Sequence, residues 1–352
     1  MSELFQDLVD LASERLGAAV IACNDDFFAP KENLIKAAPP IWIEGKYTDR
    51  GKWMDGWETR RRRDAEPGTP GVHDWCVIRL GAAGIVRGID VDTAFFKGNY
   101  PDSCAVDLAD LPHGASLDDV AKAVWNEALP QTTLAGDSHN LCRIADAARA
   151  THLRLRIYPD GGVARLRVHG DVVADWNRLG RRGDVDLAAA EHGGFVVVCS
   201  DMFFGSRNHL ILPGDSTHMG DGWETKRRRV PGHEWTIVRL ATAGTIRRIE
   251  VDTKHFKGNA PGSCSLDAGR LRAVGASSGH AGARGFQTGD VEWRELVSRT
   301  PLKPDALHTF EDVPAIEGIT HVRLNIFPDG GIARLRLFGR PHPGGSDHGI
   351  ER

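Results

Sequence analysis

No stretch of this chain approaches the roughly 18 consecutive apolar residues of a membrane-crossing helix. Its first residues, Ser2 to Arg15, are acidic and lack the basic and apolar regions of a cleavable signal, so secretion is not expected and a cytoplasmic location is. There is no excess of positive charge: the net charge is −4, with Lys and Arg spread through both halves, which argues against nucleic acid and anionic membranes as partners. There is no Cys-x-x-Cys, and no cysteine stands at a ligand-like spacing from histidine. Cys23, Cys76, Cys104, Cys142, Cys199 and Cys264 therefore read as reduced, buried, small apolar residues. A P-loop, a dinucleotide fingerprint, His-Glu-x-x-His and Gly-x-Ser-x-Gly are all missing, which removes the common signatures of nucleotide binding, zinc proteolysis and serine hydrolysis. Helical periodicity is scarce too, confined to Leu4 to Leu16, Leu117 to Leu129 and Trp293 to Val297.

What the chain has is a long internal repeat. Asp55-Gly-Trp-Glu-Thr59, followed by Arg60 to Arg63, returns as Asp221-Gly-Trp-Glu-Thr225 followed by Lys226 to Arg229. Before these blocks, Val20 to Phe28 matches Val196 to Phe204. After them, Trp75 to Leu80 and Ile85 to Thr93 match Trp235 to Leu240 and Ile246 to Thr253 as strand-like pairs, with Gly81-Ala-Ala-Gly84 read as the turn between the first two. Phe96-Lys-Gly-Asn99 returns as Phe256-Lys-Gly-Asn259, and Ile157 to Gly170 returns as Ile326 to Gly339, each around Pro-Asp-Gly-Gly. Proline fixes φ and glycine supplies positive φ, so each Pro-Asp-Gly-Gly reads as the turn of a closing β-hairpin. The period is that of a whole domain, so two duplicated globular units are expected, each built of short strands between Gly, Pro and Asp. The fold class this implies is all-β, two tandem β-sandwiches or jelly rolls with few short helices. The expected boundaries are an N-terminal segment 1–17, a first unit 18–171, a polar linker 172–193, a second unit 194–340 and a disordered tail 341–352.

Residues kept in both copies serve either the scaffold or the chemistry. In the Asp-Gly-Trp-Glu-Thr block the turn residues and Trp57 and Trp223 suit a structural role. Glu58 and Glu224, directly before a run of guanidinium groups, suit either an exposed position or a site carboxylate. Lys97-Gly-Asn99 and Lys257-Gly-Asn259 put a cation and an amide in a loop where glycine permits close approach, which would suit a ligand with carboxylate and ureido or amide groups. His73 and His233, each before an acidic residue, and His139 and His308 in a later loop, are general-acid candidates or satisfied structural residues. Asp92 and Asp252 end strands, while Asp160 and Asp329 in the Pro-Asp-Gly-Gly turns read as structural.

These blocks, in the same order twice, resemble the allantoicase family, enzymes of purine and ureide breakdown built from two allantoicase repeats. The resemblance rests on Asn24 to Phe28, Lys52 to Arg60, Ile89 to Asn99 and the Pro-Asp-Gly-Gly segments, and it spans about residues 18 to 340. It implies a pair of jelly rolls resembling galactose-binding domains, and hydrolysis of allantoate to (S)-ureidoglycolate and urea in allantoin degradation. Such chemistry needs an acid for the leaving nitrogen, a base for water and a cation for the substrate carboxylate. On that basis the acid–base residues are expected among Glu58, Glu224, His73 and His233. The substrate-binding residues are expected among Arg60, Lys97 and Asn99 and their counterparts Lys226, Lys257 and Asn259. No cofactor is expected; a divalent metal held by the repeated Asp and His residues is a third reading that no ligand spacing supports, and allantoate and further copies of the chain in a homo-oligomer are the expected partners. The competing class is a non-catalytic tandem ligand-binding module of the galactose-binding type. The copies also differ. Lys52-Trp-Met precedes the first Asp-Gly-Trp where Thr217-His-Met-Gly precedes the second, the first copy inserts Asp64 to Thr69, and the second carries a Gly-rich stretch from Gly275 to Gly285. One site at the interface of the two units, or one live site and one scaffold copy, would account for that inequality.

Overall fold

The computed structural model describes residues 5, 8–63, 69, 71–145, 148–181, 183–271, 289 and 291–342. The chain divides into two compact units, Met1–Ala174 and Asp175–Arg352. The Gly-rich stretch from Gly275 to Gly285, most of the insertion from Asp64 to Thr69, and all but the first two residues of the tail lie outside the described residues.

In the first unit the strands are β1 (Val9–Asp10), β2 (Ala19–Cys23), β3 (Tyr47–Thr48), β4 (Gly51–Lys52), β5 (Trp57–Glu58), β6 (Asp74–Asp92), β7 (Ser103–Ala109), β8 (Asn126–Thr133), β9 (His139–Arg143), β10 (Arg149–Tyr158), β11 (Gly162–Val163) and β12 (Arg165–Val172). The unit is threaded on β6. Its first half pairs with β2 and β10, and β10 continues through β7 to β8. Its second half pairs with β9 and β12, and β12 with β1. Both layers of the β-sandwich therefore share one strand, with Ile78, Val86, Ile89, Val91, Leu153, Leu155, Leu166 and Val168 fully buried between them.

Gly81-Ala-Ala-Gly84 is consequently extended backbone inside β6 and not a turn. Pairing with β10 passes from Arg79–His152 directly to Gly84–Ala150, so the strand bends here. A Cβ on Gly81 would stand 2.6 Å from the Leu16 carbonyl oxygen, and one on Gly84 equally close to that of Asp171. These glycines allow close packing at the bend.

The closing segment is not a hairpin either. β10 and β12 belong to opposite layers, and the Pro-Asp-Gly-Gly between them crosses the end of the sandwich. In the crossing, β11 pairs with β5, Gly162 opposite Glu58 and Val163 opposite Trp57. Two alternating runs around a turn read as a hairpin locally, but the hydrogen-bond partners of both runs lie elsewhere.

The second unit repeats the plan with β13 (Val185–Asp186), β14 (Phe195–Cys199), β15 (Trp223–Glu224), β16 (Glu234–Asp252), β17 (Ser263–Leu271), β18 (Val291–Pro301), β19 (Leu307–Phe310), β20 (Ile319–Phe327), β21 (Gly331–Ile332) and β22 (Arg334–Pro341). Long β16 pairs with β14 and β20 in one half and with β19 and β22 in the other. The segments before each unit join its sandwich: Val9–Asp10 pairs with β12 and Val185–Asp186 with β22. Asp10 and Asp186 do the anchoring, each carboxylate accepting the backbone N–H groups of a residue two further on and of the partner strand. The stretch read as a polar connector thus ends in buried Leu187, Ala188, Ala189 and Ala190.

The three helical readings need correction. The described residues of the N-terminal segment include strand β1 and the 3-10 turn Glu14–Leu16, capped by Ser13. Only Leu117–Ala121 of the second is helical, with a Ser116–Asp119 capping box, before β8 begins. Trp293 to Val297 lies inside β18. In both β7–β8 and β17–β18 two register shifts interrupt the pairing, and each shift breaks the two-residue alternation, leaving spacings that mimic a helix. All six cysteines are free; burial pushes the Cys104 thiol up to about 12, far from a reactive thiolate.

Candidate active site

Three repeated blocks meet at one end of the first sandwich. β5 is held on both sides, by the Ala29 bridge and by β11, so the Glu58 backbone is fixed. Trp57 turns inward, fully buried, its indole N–H donating to the Asp25 carbonyl at 2.8 Å. Strand alternation then sends Glu58 to the opposite face. The Lys97-Gly98-Asn99 loop is tied to the same place because the Gly162 N–H donates to the Asn99 carbonyl at 2.7 Å. Gly162 has no alternative here: a Cβ would lie 1.9 Å from the buried Phe96 ring.

Asn99 Nδ2 donates to Glu58 Oε1 at 2.7 Å. Burial pushes the Glu58 carboxyl above its ordinary value, partly offset by the Asn99 hydrogen bond and by the charge of Arg61. Arg61 lies against the same loop, with its guanidinium 3.2 Å from the Gly98 carbonyl oxygen and 2.8 Å from Asp160. Asp160 also accepts the Arg62 N–H at 2.8 Å, so the turn carboxylate serves the arginine run.

Around this pair opens a cleft of about 590 Å³ lined by Phe28, Trp42, Glu44, Lys52, Met54, Glu58, Phe95, Lys97, Gly98 and Asn99. Among the described residues its outer wall has no counterpart in the second unit. Ile35 and Trp57 stand 22 positions apart, whereas Ile211 and Trp223, which end and begin the matching elements, stand only 12 apart. The extra residues supply Trp42, Glu44 and the small β3–β4 ribbon. Lys52 sits 4.3 Å over the Trp42 ring, and Trp42 Nε1 donates to Glu44 Oε2 at 2.8 Å. Phe95 faces Trp42 across 6.0 Å from a left-handed backbone (φ 69), held by its N–H to Asp137 Oδ1 at 2.7 Å.

The base of this wall is anchored by a buried ion pair. Arg165, 1% exposed, reaches Asp55 Oδ2 at 2.8 Å and also donates to the Asp55 and Ala38 carbonyls. Burial alone would push the Asp55 carboxyl up. The Arg165 hydrogen bond, the Ile41 N–H and the charges of Arg165 and Lys36 outweigh it and leave the carboxyl below its usual range. Asp221 and Arg334 form the same pair in the second unit at 3.1 Å.

Of the residues expected from sequence, Glu58, Lys97 and Asn99 come together in this cleft. Arg60 does not line it. Arg60 pairs with Asp25 at 3.1 Å and borders a separate hollow with Asn24, Arg61, Arg62, Arg63 and Asp74, from which Arg61 also reaches the cleft's Lys97-Gly98-Asn99 loop. His73 is also outside the lining, with Nδ1 2.7 Å from the Gly71 carbonyl oxygen and its ring against Tyr158. In the second unit Asn259 donates to Glu224, repeating the carboxyl–amide pair, and also to the Met219 sulfur at 3.2 Å. Lys257 pairs with Asp305 and Lys226 with Asp201. His233 contacts Asn325 and the Phe327 ring. Trp42, Glu44 and Lys52, which line the cleft, and Arg61, whose charge acts on Glu58 from beside it, are the residues that the repeat could not indicate. The first three belong to the longer segment of the first copy, and Arg61 is one of four adjacent arginines. The unequal lengths before the two Asp-Gly-Trp blocks were the available signal.

Two β-sandwich repeats, one of them carrying a half-buried carboxyl of raised pKa in a cleft edged with lysines, define an enzyme for small polar anions. The family model "Allantoicase repeat" matches residues 9–173 and 185–342. A probable allantoicase of Burkholderia mallei is 46% identical over 96% of both chains, and one of Pseudomonas aeruginosa is 47% identical over 96% of this chain and 97% of its own. The crystal structure of allantoicase from Saccharomyces cerevisiae, 34% identical, superimposes with a TM-score of 0.76 and covers 94% of this chain and 92% of that one. The chain belongs to the allantoicase family.

Proposed function

We propose that this enzyme hydrolyses allantoate to ureidoglycolate and urea at the cleft of its first unit, with Glu58 as the acid–base residue. The observation that carries the reading is the Glu58 carboxyl: half-buried, raised in pKa, oriented by Asn99 and set in one cleft with Lys52 and Lys97, with Arg61 reaching the same loop at Gly98. Lys97 and Lys52 suit the substrate carboxylate, leaving the central carbon beside Glu58. Protonated Glu58 gives its proton to the leaving ureido nitrogen as the carbon–nitrogen bond breaks, so urea departs neutral. The electron deficiency at carbon is shared by the nitrogen of the retained arm, next to a Glu58 carboxylate that has just become charged. Water then adds to that carbon and returns a proton to Glu58, completing ureidoglycolate. A carboxyl whose proton affinity is raised by burial, and which is held by a hydrogen bond, suits both steps.

The second unit keeps the Glu224–Asn259 pair without the wall, and Met219 stands at the amide. Glu224→Gln is expected to leave turnover within about threefold of the parent, far below the effect of a lost acid. Steady-state urea release is the assay, and a loss matching that of the Glu58 variant would move the chemistry to the second copy or make it shared. The reading invokes no metal. Among the described residues no group of three or more His, Cys, Asp or Glu side chains is arranged to hold one. Dialysis against a strong chelator is expected to leave urea release unchanged, and a loss restored by a divalent ion would overturn this part. Among the described residues no helix is long and apolar enough to cross a membrane. The enzyme is taken as a cytoplasmic homo-oligomer, and the net charge of −4 supports the part of this that leaves out nucleic acid and anionic membranes as partners.

A further inference from the structure

Among the described residues, Glu44 is the one acid besides Glu58 that lines the first unit's cleft, and catalysis by Glu58 does not use it. Its Oε2 is taken up by the indole N–H of Trp42 at 2.8 Å, two residues earlier in the chain. The ring that donates is itself fixed, with Lys52 at 4.3 Å over its face and Phe95 at 6.0 Å. Trp42 so placed orients an otherwise exposed carboxylate at the rim of a cleft that also presents Lys52 and Lys97. An anionic substrate gains nothing from a carboxylate there unless it also brings N–H donors. The retained arm of allantoate is a ureido group with two parallel N–H bonds on one edge, which a carboxylate accepts in a two-point pair.

We infer that Glu44, oriented by Trp42, is the specificity-determining residue that receives the retained ureido arm of the substrate. The inference rests on the cleft being the site proposed above. It gives the longer segment of the first copy a purpose. Lysines alone would admit any small carboxylate, while Glu44 repels those lacking N–H donors and rewards those carrying them.

The test is Glu44→Gln and Trp42→Phe, assayed alongside Glu58→Gln. Glu44→Gln is expected to raise KM for allantoate about 10- to 100-fold, the scale of a lost hydrogen bond to a charged group, with kcat within a few-fold. Inhibition by the product ureidoglycolate, which keeps the arm, weakens in parallel. Inhibition by glycolate, which lacks it, is unchanged or stronger. Trp42→Phe keeps an aromatic face but removes the donor, and moves both constants the same way by less. An unchanged KM and unchanged ureidoglycolate inhibition in Glu44→Gln would overturn the inference. A uniform loss across both inhibitors would equally overturn it, since a merely structural role predicts that. Either result, beside a Glu58→Gln variant that has lost turnover, leaves the site standing and removes only Glu44. Full turnover by Glu58→Gln would instead remove the site.

Discussion

Glu58→Gln is expected to lower kcat for urea release by about 10² to 10⁴-fold while changing KM little, because it removes a proton donor and keeps the shape of the side chain. The Asn99 N–H still finds an acceptor in the amide carbonyl oxygen of the substituted side chain, so the fold is not put at risk. Stability supplies an independent check. The folded-state pKa of Glu58 lies above its ordinary value of 4.5. Its contribution to stability is therefore complete below about 4.5 and is lost as pH rises through the raised folded value. At neutral pH the variant should be at least as heat-stable as the parent, and the gap should close in acid. A residue whose removal costs activity and gains stability is serving the chemistry. The pH profile follows with the same sign. As Glu58 acts in its protonated form, kcat/KM falls as pH rises through the raised value. The Arg61 charge lowers that value, so Arg61→Gln moves the falling limb to higher pH.

Arg165→Met is expected to destabilise the first unit by about 3 to 5 kcal/mol, because it strands the buried Asp55 carboxylate. For a unit of this size that lowers the melting midpoint by on the order of 10 °C, readable by calorimetry. The cost is a property of the broken pair and not of the arginine alone. A double variant, Asp55→Leu with Arg165→Met, removes both charges and should recover much of the loss. The ion pair also holds the Ala38 carbonyl and, through Asp55, the Ile41 N–H, so it fixes the root of the loop that carries Trp42 and Glu44. Arg165→Met should therefore raise KM at temperatures where the unit is still folded. A midpoint unchanged by the single substitution would show that the pair contributes nothing to holding the wall.

The fold class was legible because strand alternation and turn residues are local signals, and their repetition showed that the pattern was not accidental. The connectivity was not. The stretch from Asp74 to Asp92 reads as two strands around a turn, and only the close approach of Leu16 and Asp171 to its glycines explains why it runs on as one. The Pro-Asp-Gly-Gly segments read as hairpins because a hairpin and a crossing between layers share their turn chemistry and differ only in distant pairing partners.

The candidate site divides the same way. Glu58, Lys97 and Asn99 were reachable because both copies keep them and the scaffold needs them at the same end of the sandwich. Arg60 and Arg61 are adjacent in a basic run, and nothing local says which one meets Asp25 and which one reaches Gly98. Trp42, Glu44 and Lys52 were hidden by the repeat itself, since a comparison of copies discards what only one copy has. The inequality of the copies marks the wall of the cleft, and their agreement marks its floor.

The most direct measurement is a crystal structure of the Glu58→Gln variant soaked with allantoate. The account predicts the ligand in the first unit's cleft. One ureido nitrogen should lie within hydrogen-bonding distance of the residue 58 side chain, and the ligand carboxylate should lie toward Lys52 and Lys97. Allantoate bound at Glu224, or in the first unit's cleft with its central carbon out of reach of residue 58, would contradict it.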